Sequence, residues 1–285
     1  MKQGVFIGMT CLDNIYYIND KITPNKKYKT SEYYIDIGGP AANAAITYSL
    51  LGGSACLITS LGNSKTAEMI KNKLKNDYNI TVIDCSTSEN MHNNASIIVN
   101  LENATRTIIS GQCILEATVD SQLIPKNNAL FYFFDCNCQE ISLELLEQIK
   151  PCSIPVILDV GSYKPNIEKF LKKATHVIAS SDFKTLDGTN AFEFAKQHNV
   201  SCFAVSDGSN PTIWMNGNKS GSIAPIQVNA IDTLGAGDVL HGAFCYYFAC
   251  TGLDFQLACS KAMDVASYST EKKGISAGIR HFLEI

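Results

Sequence analysis

Charge is scarce in this chain. Only 18% of its 285 residues are Asp, Glu, Lys or Arg, against roughly a quarter in an average globular sequence, while 46% are hydrophobic. A large buried core follows. Lys and Arg form no long run and the net charge is −4, which argues against nucleic acid as the main partner. Long apolar runs are missing too, so no membrane span is expected. The start, Met1-Lys2-Gln3-Gly4-Val5-Phe6-Ile7-Gly8, reads as a buried strand and lacks the layout of a signal peptide. Cys136-Asn137-Cys138 has no second pair at zinc-like spacing, so no metal ligands are expected. Among the cysteines, Cys56, Cys113, Cys202 and Cys245 sit in apolar strand or helix patterns, where a free thiol behaves as a small hydrophobe. A reducing cytoplasm fits that usage. Neither an internal repeat nor a low-complexity segment occurs, and the length admits one or two domains.

What is present is organised around Asp232-Thr233-Leu234-Gly235-Ala236-Gly237-Asp238 and the apolar run Val239 to Thr251 behind it. A helix apolar on nearly every face is buried. Its glycine-rich start offers free backbone N–H groups and the positive end of a dipole, which suits an anion such as phosphate. Asp238 is out of place in an anion hole unless chemistry needs a carboxylate there. Taken alone, it fits equally well as a helix-start aspartate favoured by the dipole.

The rest of the chain alternates. Val5 to Leu12 is expected as the first strand, ended by Asp13, with Gly8 marking a close approach of backbone or ligand. Ile15–Ile18 and Tyr28–Ile37, rich in Tyr, Ile and Thr, flank a polar turn containing Pro24 and read as two strands of a flap. Gly38-Gly39-Pro40 opens a helix that ends at Gly52-Gly53, with small residues throughout its first turn and Asn43 one turn in. That first turn serves either close helix–sheet packing or a ligand approaching bare backbone. Strand Cys56–Ser60, helix Thr66–Asn76 and strand Ile80–Asp84 follow. A hairpin (Ala95–Asn100, Arg106–Ile109) supplies further flap strands. Alternation resumes with strand Ala129–Asp135, helix Ser142–Lys150, strand Val156–Asp159, helix Ile167–Ala174, strand His176–Ala179, helix Ala191–His198 and strand Cys202–Ser206. A second hairpin turns at Asn216-Gly217, and a last helix, Phe255–Tyr268, starts after Asp254 as N-cap. Such βα repetition implies a mostly parallel central sheet with helices on both faces, a three-layer α/β/α arrangement, with ligands at the carboxyl edge of the strands. Residues 1–285 are expected to form one domain, with lid strands from about 14–37 and about 95–110.

Gly38-Gly39-x-x-x-Asn43 and Asp232-Thr233-x-Gly235-Ala236-Gly237-Asp238 together resemble the ribokinase-like (PfkB) carbohydrate kinases over essentially the whole chain. Gly8–Asp13 and the tail Gly274–Ile279 are most similar to ketohexokinase-like and sulfofructose-kinase-like members. The resemblance implies an ATP-dependent sugar kinase. It puts an anion hole at Gly235, Ala236 and Gly237, and makes Asp238 the base that takes the proton of a sugar hydroxymethyl group. Asp13, Gly38, Gly39 and Asn43 match positions that hold sugar hydroxyls. Ser206-Asp207-Gly208 and Thr233 match nucleotide-binding positions. No Walker A lysine or protein-kinase glycine loop is present, so charge is expected to be met by backbone donors and by Mg²⁺ held mainly by the nucleotide phosphates. Many members also bind a monovalent cation such as K⁺ beside Asp232 and the C-terminal loop. An aspartate with an ordinary pKa is ionised near neutrality and can serve as the base.

Departures bear on the substrate. The family's Asn-x-x-Glu is replaced by Ser180-Ser181-Asp182-Phe183, and Asn210-Pro211 displaces a glycine after Ser206-Asp207-Gly208. Lys27, in the flap, suits an anionic sugar end by charge complementarity, although beside Lys26 it also reads as a solvated lysine. Against a sulfosugar, Asn137 stands where an arginine is expected, and Ser110 replaces a longer amide. A ketose or an anionic sugar derivative is the leading acceptor. A nucleoside is the second, kept open by Tyr16, Tyr17, Tyr28, Tyr33 and Tyr34. A non-catalytic sugar or nucleotide sensor is the third, motivated by the missing Asn-x-x-Glu. Tyr-rich lid strands with exposed apolar surface suggest a homodimer through the lid.

Overall fold

The computed structural model describes residues 2–30, 32–89, 92–111, 117–120, 124–125, 128–149 and 154–285. The chain begins with β1 (Gln3–Ile7) and β2 (Cys11–Ile18) rather than one strand over Val5–Leu12. The break is at Gly8, φ 153°, where a Cβ would lie 2.1 Å from the Asp135 carboxylate. Met9 N–H then donates to Asp135 Oδ2 at 2.8 Å, so an inserted carboxylate ends one strand and sends the chain into a second sheet. Asp13 accordingly lies inside β2 and not at a strand end.

β3 (Glu32–Gly38) and α1 (Pro40–Leu50) follow, then β4 (Ala55–Thr59), α2 (Lys65–Tyr78) and β5 (Thr81–Asp84). The hairpin β6 (Asn94–Asn100) and β7 (Arg106–Gly111) precedes β8 (Ala129–Phe134), α3 (Gln139–Gln148), β9 (Val156–Val160), α4 (Ile167–Leu171), β10 (His176–Ser180), α5 (Ala191–Gln197) and β11 (Cys202–Asp207). The chain closes with β12 (Asn210–Asn216), β13 (Lys219–Ile223), α6 (Ala236–Ala249), α7 (Phe255–Ser269) and α8 (Ile275–Glu284).

The large sheet has the order β13-β12-β11-β10-β9-β8-β1-β4-β5 and is parallel from β11 to β5. Its strands are near-continuous apolar runs because both faces are covered. Phe6, Phe133 and Ile157 face α1, α2, α6, α7 and α8, while Val5, Ile7, Phe134 and Leu158 face α3, α4 and α5. The expected three-layer arrangement is present. Asp254 caps α7 as expected, its Oδ1 accepting from Leu257 N–H at 2.9 Å. That helix is not the last, however. Gly274, φ 81°, breaks the chain, and α8 packs so tightly that a Cβ on Gly278 would meet Ser269 O at 2.3 Å.

A separate sheet of order β3-β2-β6-β7 stands apart from the large one. Register places Asp36, Asp13, Ala95 and Ser110 in one row across it, with Tyr34, Ile15, Ile97 and Ile108 in the next row on the same face. This face packs on Leu234. No helix among the described residues is long and apolar enough to cross a membrane.

Candidate active site

Asp135, just past β8, holds the floor of the site. It is fully buried, and its carboxylate accepts from Met9 N–H (2.8 Å), Ala41 N–H (3.1 Å) and Asn137 N–H (2.7 Å). It thereby fixes the start of α1 against the turn between β1 and β2. Burial pushes its pKa up, and the neighbouring Lys164 ammonium pulls it back. Sequence reasoning took Asp135 as a strand end. Two of its three partners, Met9 and Ala41, are 126 and 94 residues away, so no local pattern reveals the role.

The two expected motifs meet. Asn43 Nδ2 donates to Asp238 Oδ2 at 2.7 Å. Asn43 Oδ1 is buried and accepts from no group among the described residues. Gly235 caps α6 at φ 72°, where a Cβ would also strike Ile275 Cδ1 at 2.4 Å. Ala236 N–H turns back to Thr233 O at 3.3 Å, but the N–H groups of Gly235, Gly237 and Asp238 donate to nothing among the described residues. A Cβ on Gly237 would meet no atom within 4 Å, so the space over this helix start is open. Unpaired N–H groups at an open helix start are the donors an anionic group needs.

Asp238 departs from the ordinary carboxylate expected. Burial first, and then the charge of Asp159, push it up to about 7, against the pull of the Asn43 hydrogen bond and of His241. The residue as a whole is half-buried at the start of α6.

Among the residues expected to hold the acceptor, Asp13 is buried, and Cys11 Sγ–H donates to its Oδ1 at 3.1 Å. Burial pushes its carboxyl up to about 6. Gly38 is required by this chain's own packing, since a Cβ there would lie 2.0 Å from Asp13 Oδ2. Gly39, φ 97°, is required for the same reason, with Met9 O only 2.4 Å from its would-be Cβ. Close packing therefore accounts for both glycines. Lys27 is not joined to this group: it is exposed in the β2–β3 connection and bonds to nothing among the described residues. Its neighbour Lys26 lies 5.1 Å from the Tyr28 ring centroid. The cation that does reach the strand edge is Lys164, missed in sequence, whose Nζ donates to Asp135 O at 3.0 Å beside Asn137. Ser110 is exposed on β7.

Among the residues expected to meet a nucleotide, Ser206 Oγ donates to Ala179 O at 3.2 Å, and Gly208, φ 55°, turns into open space. Ser181 donates to Asp207 Oδ1, which holds that carboxyl below its usual range, and Asn210 adds a second donor. Thr233 is engaged by the small sheet: its hydroxyl donates to Ala104 O (2.7 Å) and accepts from Arg106 Nη1 (3.3 Å). Asp232 accepts from Leu234 N–H (2.9 Å), Tyr17 O–H (2.6 Å) and Gly274 N–H (3.2 Å). A Lys273–Glu32 ion pair adds a further tie. Arg106 was legible only as the start of a strand.

A model of the pfkB family carbohydrate kinases matches residues 1–281. The deoxyribokinase of Salmonella typhi is 24% identical over 287 residues, covering 94% of this chain and 92% of that protein. The ribokinase of Dictyostelium discoideum is 24% identical over 303 residues, covering 94% of each. The structure of Arabidopsis thaliana ribokinase complexed with ribose and ATP has the same fold, with a TM-score of 0.76 at 18% identity over 99% of this chain and 98% of that one.

Proposed function

This chain belongs to the pfkB family of carbohydrate kinases, and on that premise we propose that it transfers the γ-phosphate of ATP to a hydroxymethyl group of a monosaccharide, with Asp238 as base. The observation that carries the reading is the Asn43–Asp238 hydrogen bond set beside three unpaired N–H groups at an open helix start. Asp238 takes the proton of the acceptor hydroxyl while its oxygen attacks the γ-phosphorus in line and the bond to the leaving ADP oxygen breaks. The N–H groups of Gly235, Gly237 and Asp238 meet the charge on the transferring oxygens without reorganising. Mg²⁺ borne by the nucleotide phosphates supplies neutralisation of their charge. Asp13 and Asn43 Oδ1 accept from acceptor hydroxyls, with the Gly38–Gly39 backbone as floor. Ser206, Gly208 and Thr233 line the nucleotide side.

The acceptor is a neutral sugar such as a ketose or a pentose, or an anionic derivative whose charged end meets Lys27. The ribokinase and deoxyribokinase among the relatives support a pentose. One observation favours a nucleoside as second reading: Tyr34 is half exposed on the inner face of the small sheet, its ring edge-on to Tyr17 at 5.7 Å. A base can stack on such a wall. For K⁺, Asp232 and Gly274 already bring together the two loops whose carbonyls would hold it. Tyr33, Ile35 and Ile109, all exposed on the outer face of the small sheet, suit a homodimer through that face.

A coupled assay with ATP and D-ribose, 2-deoxy-D-ribose, D-fructose, their phosphates and adenosine tests the reading. Turnover of at least one is expected, and Asp238→Asn should lower kcat by about 10²–10⁴-fold. Equal turnover in the two proteins would sink Asp238 as base, and phosphotransfer to any acceptor removes the sensor reading.

A further inference from the structure

Near Asp238 lie two buried ionisable groups that the transfer step leaves unused. Asp159 is near the end of β9, on the face covered by α6. His241 is one helical turn past Asp238 on α6. Both are more than nine-tenths buried. The carboxylate of Asp159 accepts no hydrogen bond among the described residues, and its ion-pairing neighbour is His241 Nε2 at 3.6 Å from Oδ1. His241 Nε2 also faces Ile178 O at 3.2 Å, while its Nδ1 is buried with no hydrogen-bond partner among the described residues. A carboxylate placed in a core without donors is costly unless a cation shares the site.

We propose that Asp159 and His241 are positioning residues for Asp238, a buried carboxyl–imidazole pair that sets how readily this carboxylate takes the acceptor's proton. The inference rests on Asp238 being the base. Its physical content is a balance. Asp159 alone resists a second negative charge nearby, and the His241 imidazole beside it relieves that resistance. The direction of each influence on Asp238 agrees: Asp159 pushes its pKa up and His241 pulls it down. Other groups around this pair are Asp135 past β8, Lys164 after β9, and on β2 Cys11, which leads to Asp13. Neither Asp135 nor Lys164 substitutes for His241, because Lys164 is already committed to the end of β8. The imidazole sits between α6 and the sheet, so a change of charge there reaches Asp238 without passing through solvent.

The test is the pH profile of kcat/KM with ATP and whichever of D-ribose or D-fructose turns over faster, in wild type, Asp159→Asn and His241→Gln. The acid limb of kcat/KM reports the base of the free enzyme. Asp159→Asn should move that limb down by about one pH unit, and His241→Gln should move it up, a separation of tenfold or more in the rate measured on the limb. Residues acting only in packing would lower the rate at every pH and leave the limb in place. Unmoved limbs in both variants, or movement in the same direction, overturn the proposal. Because limb position does not depend on the folded fraction, a destabilised variant still reports. Should His241→Gln fail to fold, Asp159→Asn decides by itself, an unmoved limb overturning the pair. A readout free of turnover is the ¹³C titration of the Asp238 carboxyl by NMR, assigned by its loss in Asp238→Asn. The same opposite shifts are expected there, and equal titration in all three proteins overturns the proposal. Loss of all turnover in wild type would sink the kinase reading, whereas the titration judges the pair regardless.

Discussion

The large sheet and the small sheet bring different kinds of order to the site. All five residues of β4 and all five of β9 are buried, whereas all six of β7 are exposed. Around the large sheet the groups are held by packed elements: Asp135 accepts from three backbone donors, and Asp238 on α6 accepts from Asn43 on α1. The small sheet meets this body through side-chain ties to two loops and one helix: Tyr17 to Asp232, Ala104 and Arg106 to Thr233, Glu32 to Lys273, and Asp36 to Lys73 of α2. Chemistry that needs a base and an anion hole within tenths of an ångström belongs on the first kind of element. Selection of an acceptor belongs on the second, which can change side chains and shift as a unit without moving Asp238.

The largest effect should come from the floor of the large sheet. Asp135→Ala removes the carboxylate that accepts from the Met9, Ala41 and Asn137 N–H groups, and a buried donor left unsatisfied costs about 1–3 kcal/mol. Thermal unfolding should fall by well over ten degrees, or the protein should fail to accumulate. A variant that melts like the wild type would break the contrast at its strongest point.

That residue also marks the limit of what sequence patterns reveal. Strands such as β8 and β9 were legible because burial on both faces demands an apolar run whatever lies next to it. Gly235 and Asp238 were legible because a helix start with two glycines and a carboxylate is chemically odd on local grounds. Asp135, Asp159 and His241 carry no such mark: each sits in an apolar stretch and gains its meaning from partners on other strands. The kink at Gly8 escaped for the same reason, since the group that forces it is Asp135. α8 escaped because one buried turn, Gly278-Ile279, anchors a helix whose end is exposed. Gly38 and Gly39 were read from sequence with two meanings, and packing against Asp13 and Met9 now accounts for them.

A second prediction separates stability from function on the large sheet. Asp238 titrates near 7 folded and about 3.9 unfolded, so between those values the folded protein holds the extra proton. The stability this contributes is full below about pH 4 and lost as pH rises through about 7. Asp238→Asn removes the loss. It should therefore melt a few degrees higher than wild type at pH 8, and no higher at pH 4, while turnover collapses. Melting curves at the two pH values check this, and a lower melting point at pH 8 would mean that Asn43 needs the charge more than the core resents it.

Smaller effects are expected from the small sheet's ties. Tyr17→Phe deletes a hydrogen bond to a buried carboxylate, a contribution of about 1.5–3 kcal/mol, and leaves Gly274 and Leu234 still holding Asp232. The small sheet should loosen relative to the motif while the motif keeps its shape. KM for the sugar should rise several-fold with kcat within about twofold. A fall in kcat with KM unchanged would show that the small sheet helps to hold the catalytic loop, and the contrast between the sheets would have to be redrawn.

Lys27 gives the smallest effect and the finest distinction. It stands in the exposed β2–β3 connection without a bond among the described residues, so removing it costs the fold nothing. With D-ribose or D-fructose, Lys27→Met should change kcat/KM by less than about twofold, because an exposed lysine contributes little to a neutral partner. With a phosphorylated or carboxylated acceptor the loss should be about tenfold if the connection folds over the bound sugar and brings the ammonium to the anion. The same comparison in Lys164→Met asks whether the cation already at the strand edge performs that task. A tenfold loss confined to Lys164→Met would assign anion recognition to the large sheet and leave the small sheet as cover. Were the loss confined to Lys27→Met, the buried layer would be indifferent to the charge of the acceptor and the exposed connection would decide it.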